Sequence, residues 1–169
     1  MSSGILETRR LVLRELGQGD GPFIRGLVND SDWIRYIGDR GVRSDEDARR
    51  YLERGPLAMY ARLGFGLWLV ERKADREPTG ICGLIKRASL EDVDLGFAFL
   101  PAFRGEGYAF EAALTSRDYG IEVLGLERLV AITSPANAAS ARLLERLGFA
   151  FERIVGPVTD PVRLFAFNA

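Results

Sequence analysis

Arg104, Gly105, Gly107 and Ala109, in the middle of the chain, have the types and spacing to hold an anion. They follow a short apolar run, Leu95 to Leu100, whose aromatics Phe97 and Phe99 favour extended backbone. Pro101 closes that run, having no N–H to give to a ladder. Right after the glycines a helical pattern begins, with Phe110, Ala113, Leu114, Ile121 and Leu124 recurring on one side. A strand that breaks into a glycine turn and feeds a helix leaves backbone donors projecting from the helix start, where the dipole is positive. The donors here are the N–H groups of Gly105, Glu106, Gly107, Tyr108, Ala109 and Phe110. Without a Cβ, the glycines let a phosphate approach the backbone closely.

Two familiar phosphate loops fail at this site. A terminal Gly-Lys-Ser/Thr is absent, and a dinucleotide fingerprint needs a third glycine where Phe110 stands and an acid closing the next strand, which Glu127 instead opens. The third option is Arg104-x-x-Gly107-x-Ala109. The rest of the inventory excludes more than it offers. The chain has no histidine, which removes Ser-His and Cys-His catalysis and most zinc chemistry. A lone cysteine, Cys82, rules out an internal disulfide or a cysteine metal cluster, so no metal is expected, and in its predicted strand it reads as a small core residue.

The elements that must position this turn are readable in outline. The 169 residues form one expected domain, with 47% hydrophobic and 28% charged content in the ordinary soluble range. A net charge of −1 gives no electrostatic ground for a nucleic-acid or anionic-membrane partner. No apolar run is long enough for a bilayer, and MSSGILETRR lacks a secretion-signal core, so the cytoplasm is the expected location. Strands are predicted at 10–16, 65–73, 80–88, 95–100, 126–134, 149–155 and 162–169. Helices are predicted at 23–30, from the Ser44 cap through Leu52, at 57–63 after an interruption at Gly55-Pro56, at about 108–123, and at 139–148. Trp33 to Ile37 reads as an apolar patch before a turn. Strands with helices between them indicate an α+β (mixed α/β) layer fold.

A second stretch, Ser134-Pro-Ala-Asn-Ala-Ala-Ser-Ala-Arg-Leu-Leu-Glu-Arg-Leu-Gly-Phe149, has a complete structural reading. Asn137 caps the helix, Leu143, Leu144 and Leu147 form its buried face, and Gly148 ends it in a left-handed turn before Phe149. Taken together, however, the two stretches resemble the GNAT acetyltransferase superfamily. That family's pyrophosphate loop carries (Gln/Arg)-x-x-Gly-x-(Gly/Ala), and it places Asn-x-x-Ser-x-x-Leu-Leu-x-x-Leu-Gly-Phe after its fifth strand. Gly107 and Asn137 stand 30 residues apart, in family order. The openings TRRLVLREL and WIRYIGDRG are similar to the ribosomal-protein N-acetyltransferase (Rim-type) branch.

The resemblance implies a single N-acetyltransferase domain over residues 1–169. Its central mixed sheet of about seven strands is splayed between strands 4 and 5, with helices on both faces and acetyl-CoA lying in the opening. It also implies that backbone groups of Phe97 to Leu100 hold the pantetheine arm, with Phe99 and Leu100 supplying the donor to the thioester oxygen. Arg104 and the turn from Gly105 through Phe110 would hold the pyrophosphate, and Asn137 would reach the pantetheine. Some family members protonate the leaving thiolate with a tyrosine seven residues after the Asn; Leu144 stands there, which leaves Ser140 as the Rim-type candidate acid. The family's glutamate base on the fifth strand is also missing from Ala131-Ile-Thr-Ser134, so Asp94, Glu91, Asp92 and Tyr60 are the alternatives.

Without an obvious base, an N-terminal α-amine, which titrates near ~7.7–8.0, is easier to use than a lysine-like amine near ~10.4. The expected acceptor is therefore a protein or peptide N-terminus, with a polyamine, amino acid or antibiotic amine as the alternative. Trp33, Tyr36, Tyr60, Phe65 and Trp68 are candidate walls of an acceptor pocket, though such spacing also suits a core. A CoA-binding module without catalysis and a nucleotide-binding regulator stay open, as does assembly into a homodimer.

Overall fold

The computed structural model describes residues 4–169; the first three residues of the MSSGILETRR segment lie outside it. One eight-stranded sheet runs through the molecule in the order β1-β2-β3-β4-β5-β6-β8-β7. The strands are β1 (Leu6–Glu7), β2 (Leu11–Arg14), β3 (Leu67–Arg72), β4 (Pro78–Ile85), β5 (Asp94–Phe99), β6 (Arg128–Thr133), β7 (Ala150–Val155) and β8 (Val162–Asn168). The sequence reading anticipated about seven; the eighth is the two-residue β1, too short to show a pattern. The helices are α1 (Gly21–Val28), α2 (Ser31–Tyr36), α3 (Asp45–Leu52), α4 (Ala58–Leu63), α5 (Tyr108–Glu122) and α6 (Ala138–Arg146).

Alternation along the central strands sets the layers. Trp68 and Val70 of β3, with Cys82 and Leu84 of β4, join one cluster that includes Ala112 and Ala113 of α5 and Leu144 of α6. Leu69 and Ile81, between them in sequence, join a second cluster with Ile24, Leu27, Ala48 and Leu52 of α1 and α3. Helices therefore cover both faces, which is why β3 and β4 are buried almost throughout.

Two expectations change in detail. The patch at Trp33 to Ile37 is part of α2, because the Asp30 carboxylate accepts hydrogen bonds from the N–H groups of Asp32 and Trp33 and starts a new helix directly after α1. Gly55-Pro56 does not break the chain between α3 and α4. A wide π turn over Glu53–Leu57 carries the helix through and accommodates the proline's missing N–H.

Candidate functional site

All neighbouring strands are antiparallel except β5 and β6, which meet in parallel at a single residue pair, Asp94 and Val130. On its other side β5 pairs with β4 over six positions, from Gly80–Phe99 to Ile85–Asp94. Beyond Asp94 the two parallel strands diverge, and a cavity of about 690 Å³ occupies the gap. The opening expected between strands 4 and 5 is thus present, as β5 and β6 in the full count.

Antiparallel pairing alternates the direction of successive backbone groups. The N–H of Leu100 donates to the carbonyl of Thr79 at 2.9 Å, so Leu100 and Ala98 face β4 while Phe97 and Phe99 turn their backbone groups toward the gap. Leu100 was expected to supply an oxyanion donor; its N–H is already bonded within the sheet. Phe97, which lines the cavity, is the strand residue whose N–H and C=O remain open to it. The Phe99 carbonyl accepts from Nε of Arg104 at 3.0 Å, leaving its N–H.

The glycine turn forms as its composition requires. Gly105 and Gly107 have φ of 78° and 83°, the left-handed region that costs other residues about 1–2 kcal/mol. Gly107 is the N-cap of α5, so the first N–H groups of that helix point outward with no side chain capping them. The turn borders a second, more open depression of about 500 Å³ lined by Arg10, Gly107, Phe110 and Arg146. Glu106 is exposed, and the rings of Tyr108 and Phe110 lie under the guanidinium groups of Arg10 and Arg146 at 4.4 Å each, so Tyr108 and Phe110 face the turn through their backbones.

Arg104 requires a correction. Its terminal nitrogens bind the carboxylates of Asp32 and Asp30 at 2.6 and 2.7 Å. With Nε on Phe99, each of the three guanidinium nitrogens has a partner, and Arg104 acts as a strut from the end of β5 to α2 rather than a free phosphate ligand.

Asn137 caps α6 through Oδ1, which accepts the N–H of Ser140 at 3.2 Å, while its amide nitrogen stays uncommitted among the described residues. Asn137, Ser140 and Leu144 all line the cavity, and the Ser140 hydroxyl has no hydrogen-bond partner among the described residues. Leu144, where a tyrosine acid would stand, is fully buried.

Of the four candidate bases, Asp94 alone lines the cavity. Its carboxyl is 1% exposed; Oδ2 accepts from Nε of Arg87 at 2.8 Å and Oδ1 has no partner among the described residues. Burial raises its pKa above the ordinary carboxylate value, and the Arg87 charge opposes that only in part. Asp92 is tied to Arg128 at 3.0 Å, and Glu91 is exposed outside the cavity. Tyr60 is structural: its hydroxyl donates to the Leu67 carbonyl and accepts the Leu16 N–H at 3.1 Å, and burial pushes its pKa up.

Among the aromatic candidates, Trp33 and Tyr36 line the cavity, and the Trp33 indole N–H is buried without a partner among the described residues. Trp68 is a correction: it is fully buried, edge-on against Tyr119, and never reaches the cavity. Phe65 likewise belongs to the core. Burial pushes the Cys82 thiol up to about 12, beside the Ser116 hydroxyl, which makes it inert.

Several lining groups were not anticipated. Tyr51, Arg40, Arg54 and Arg87 border the cavity, and so does Thr133, whose hydroxyl is buried and has no partner among the described residues. Loop and helix arginines brought together by tertiary packing leave no periodic signal. Thr133 was within reach of sequence reasoning, as the last residue of a strand that ends at the gap.

Comparison with known proteins agrees with this geometry. The acetyltransferase (GNAT) domain model matches residues 10–150. The chain is 30% identical over 152 residues to the uncharacterized N-acetyltransferase YoaA of Bacillus subtilis (strain 168), covering 89% of this chain and 85% of that protein. The crystal structure of an acetyltransferase from Agrobacterium tumefaciens str. C58 superposes with a TM-score of 0.83 at 28% identity, covering 100% of this chain and 96% of that one. RimL, a ribosomal L7/L12 alpha-N-protein acetyltransferase solved with coenzyme A, shares the fold at a TM-score of 0.83 and 18% identity, with 98% of each chain covered. With its sheet opened beside β5 and a family match over most of its length, the chain belongs to the GNAT acetyltransferase family and is an acyltransferase.

Proposed function

We propose that this protein is a cytoplasmic acetyl-CoA-dependent N-acetyltransferase acting on the α-amine of a protein or peptide N-terminus, by direct attack within a ternary complex. The observation that carries the proposal is the gap beside β5, with the Phe97 backbone open on one edge and, at its base, the Asp94 carboxylate, which Arg87 holds by one oxygen only.

The residues present suit the donor. Pantetheine is an amide-bearing arm that can lie along Phe97 as an extra strand would, with the Asn137 amide nitrogen as a further donor. The outward N–H groups at the start of α5 suit the pyrophosphate. Acetyl-CoA supplies an activated acyl group, and the chain's residues do the rest. The N–H of Phe97 or Phe99 offers a fixed donor to charge developing on the thioester oxygen, a contribution of order 10²–10³ in rate. Asp94 accepts the proton from the amine, directly or through water, and its raised pKa brings it closer to the amine it must deprotonate. Ser140 hydrogen-bonds or protonates the departing sulfur. No covalent enzyme intermediate is needed, consistent with an inert Cys82.

A buried carboxylate held by Arg87 is a mild base, which favours an α-amine over a lysine-like amine. The test is release of CoA thiol with a panel of short peptides, amino acids, polyamines and aminoglycosides. Strong turnover of polyamines with none of peptides would overturn the choice of acceptor. No thiol release with any amine would indicate a CoA-binding module without catalysis.

A further inference from the structure

The cavity reaches both faces of the sheet through the gap, and its two ends differ in charge. Asn137, Ser140 and Thr133 lie toward the α6 side. Asp94 is on the same strand face as Ala98 and Leu100, which pack on the α1–α3 side. At that second end the lining includes Arg40, Arg50, Arg54 and Arg87 against two carboxylates, Asp47 and Asp94. Both carboxylates are already taken: Asp47 binds Arg50 at 2.7 Å and the Arg43 N–H at 3.0 Å, while Asp94 binds Arg87. Arg40 and Arg54 have no carboxylate or hydrogen-bond partner among the described residues. The positive charge extends toward the chemistry, since Arg40 and Arg87 both act on the half-buried Tyr51 phenol and Arg87 and Lys86 both act on Asp94. The loop that carries Arg40 is tied on both sides of it: Asp39 accepts the Gly41 N–H at 2.9 Å and pairs with Arg43 at 2.6 Å.

We propose that the acceptor carries a carboxylate close to its reacting amine, and that Arg40 and Arg54 receive it. This rests on the acetyl-transfer reading and narrows its substrate class. A guanidinium presents a planar fork that matches a carboxylate in two parallel hydrogen bonds. A polycation such as spermidine meets like charge at this mouth, whereas a free amine beside an acidic group has its negative part held while the amine faces Asp94.

Acetyl transfer is measured for amidated peptides with acidic, neutral or basic residues in the first positions, for free glutamate and for spermidine. Peptide binding in the presence of CoA is followed in parallel by calorimetry. The expected result is a preference of about ten-fold or more in kcat/KM for acidic acceptors, the size of one charge-assisted hydrogen bond. Arg40→Gln and Arg54→Gln, both exposed, should reduce that preference to about two-fold through the acceptor KM, with the acetyl-CoA KM unchanged. Use of free glutamate alongside the peptides would place the carboxylate on a small amino acid, and use of acidic peptides alone on a chain; both support the inference. Equal rates for all charges, a preference for spermidine, or variants that weaken acetyl-CoA instead of the acceptor would overturn it. Charge-selective binding without turnover would uphold it and overturn acetyl transfer, and binding without charge preference and without turnover would overturn both.

Discussion

The Nε of Arg87 lies 2.8 Å from Oδ2 of Asp94, a residue that lines the cavity, while Oδ1 of the same carboxylate is buried with no partner among the described residues. One oxygen is anchored and the other is free to take a proton, the division of labour a positioned base requires. Asp94→Asn keeps an acceptor for Arg87 but removes the base, and a fall of about 10²–10⁴-fold in kcat is expected with little change in the acetyl-CoA KM. The rate of the wild type should rise with pH through the raised Asp94 value, and this limb should disappear in the variant. Stability moves the other way. Because the folded-state pKa is raised, the native protein binds more protons, so stability falls as pH increases from the ordinary 3.8 through that higher value. Melting curves across this range should be flatter for Asp94→Asn.

Arg104 gives a contrasting expectation, since the structure uses it to brace the site. It joins the Phe99 carbonyl to Asp30 and Asp32, and Asp30 in turn caps α2. Arg104→Ala and Asp30→Ala should each destabilise the fold by about 1–2 kcal/mol, and the double variant by less than the sum, with a coupling of about 0.5–3 kcal/mol. Additive losses in a denaturation double-mutant cycle would show that the strut carries no weight.

These two residues mark how far the sequence could be read. The strand, turn and helix around Arg104 were legible because proline, paired glycines and a 3.6-residue apolar period are local signals. The role of Arg104 was not, because its partners lie more than 70 positions earlier on a helix whose start is hidden directly behind α1. Asp94 was one of four candidate bases of similar appearance, and burial and register separated it from the others. Trp68 and Tyr60 show the reverse limit: an aromatic that fills a core and one that walls a pocket have the same spacing. The Asn137 helix cap was legible from local sequence, and because it uses only Oδ1 it leaves the amide nitrogen for the proposed pantetheine contact.

The glycine turn separates conformational strain from steric blockade. At Gly105 nothing lies within 4 Å of the place an added Cβ would take, so Gly105→Ala should cost only the left-handed penalty, about 1–2 kcal/mol. At Gly107 an added Cβ also stands 3.3 Å from the Arg10 guanidinium, at the mouth of the outward N–H groups. Gly107→Ala should therefore match Gly105→Ala in melting temperature to within a few degrees, yet raise the acetyl-CoA KM by about ten-fold or more, equivalent to about 1.4 kcal/mol. Equal effects of the two variants on KM would mean the turn does not hold the donor's phosphates.

Ser140 offers the cleanest test of the leaving-group step, because its structural and chemical roles use different atoms. The Asn137 cap is received by the Ser140 backbone N–H, which alanine retains, and the hydroxyl has no partner to lose among the described residues. Ser140→Ala should leave stability within about 0.5 kcal/mol, as for other substitutions away from packed features. A thiol titrating near ~8.5 departs as a thiolate with only modest help, so the hydroxyl contributes mainly a hydrogen bond to a charged sulfur, about 1.5–3 kcal/mol. The expected fall in kcat is roughly 10- to 150-fold, with the acceptor KM unchanged and Ser140→Thr retaining part of the activity. A loss confined to KM in steady-state kinetics would reassign the hydroxyl to binding, and no loss at all would leave the sulfur to solvent.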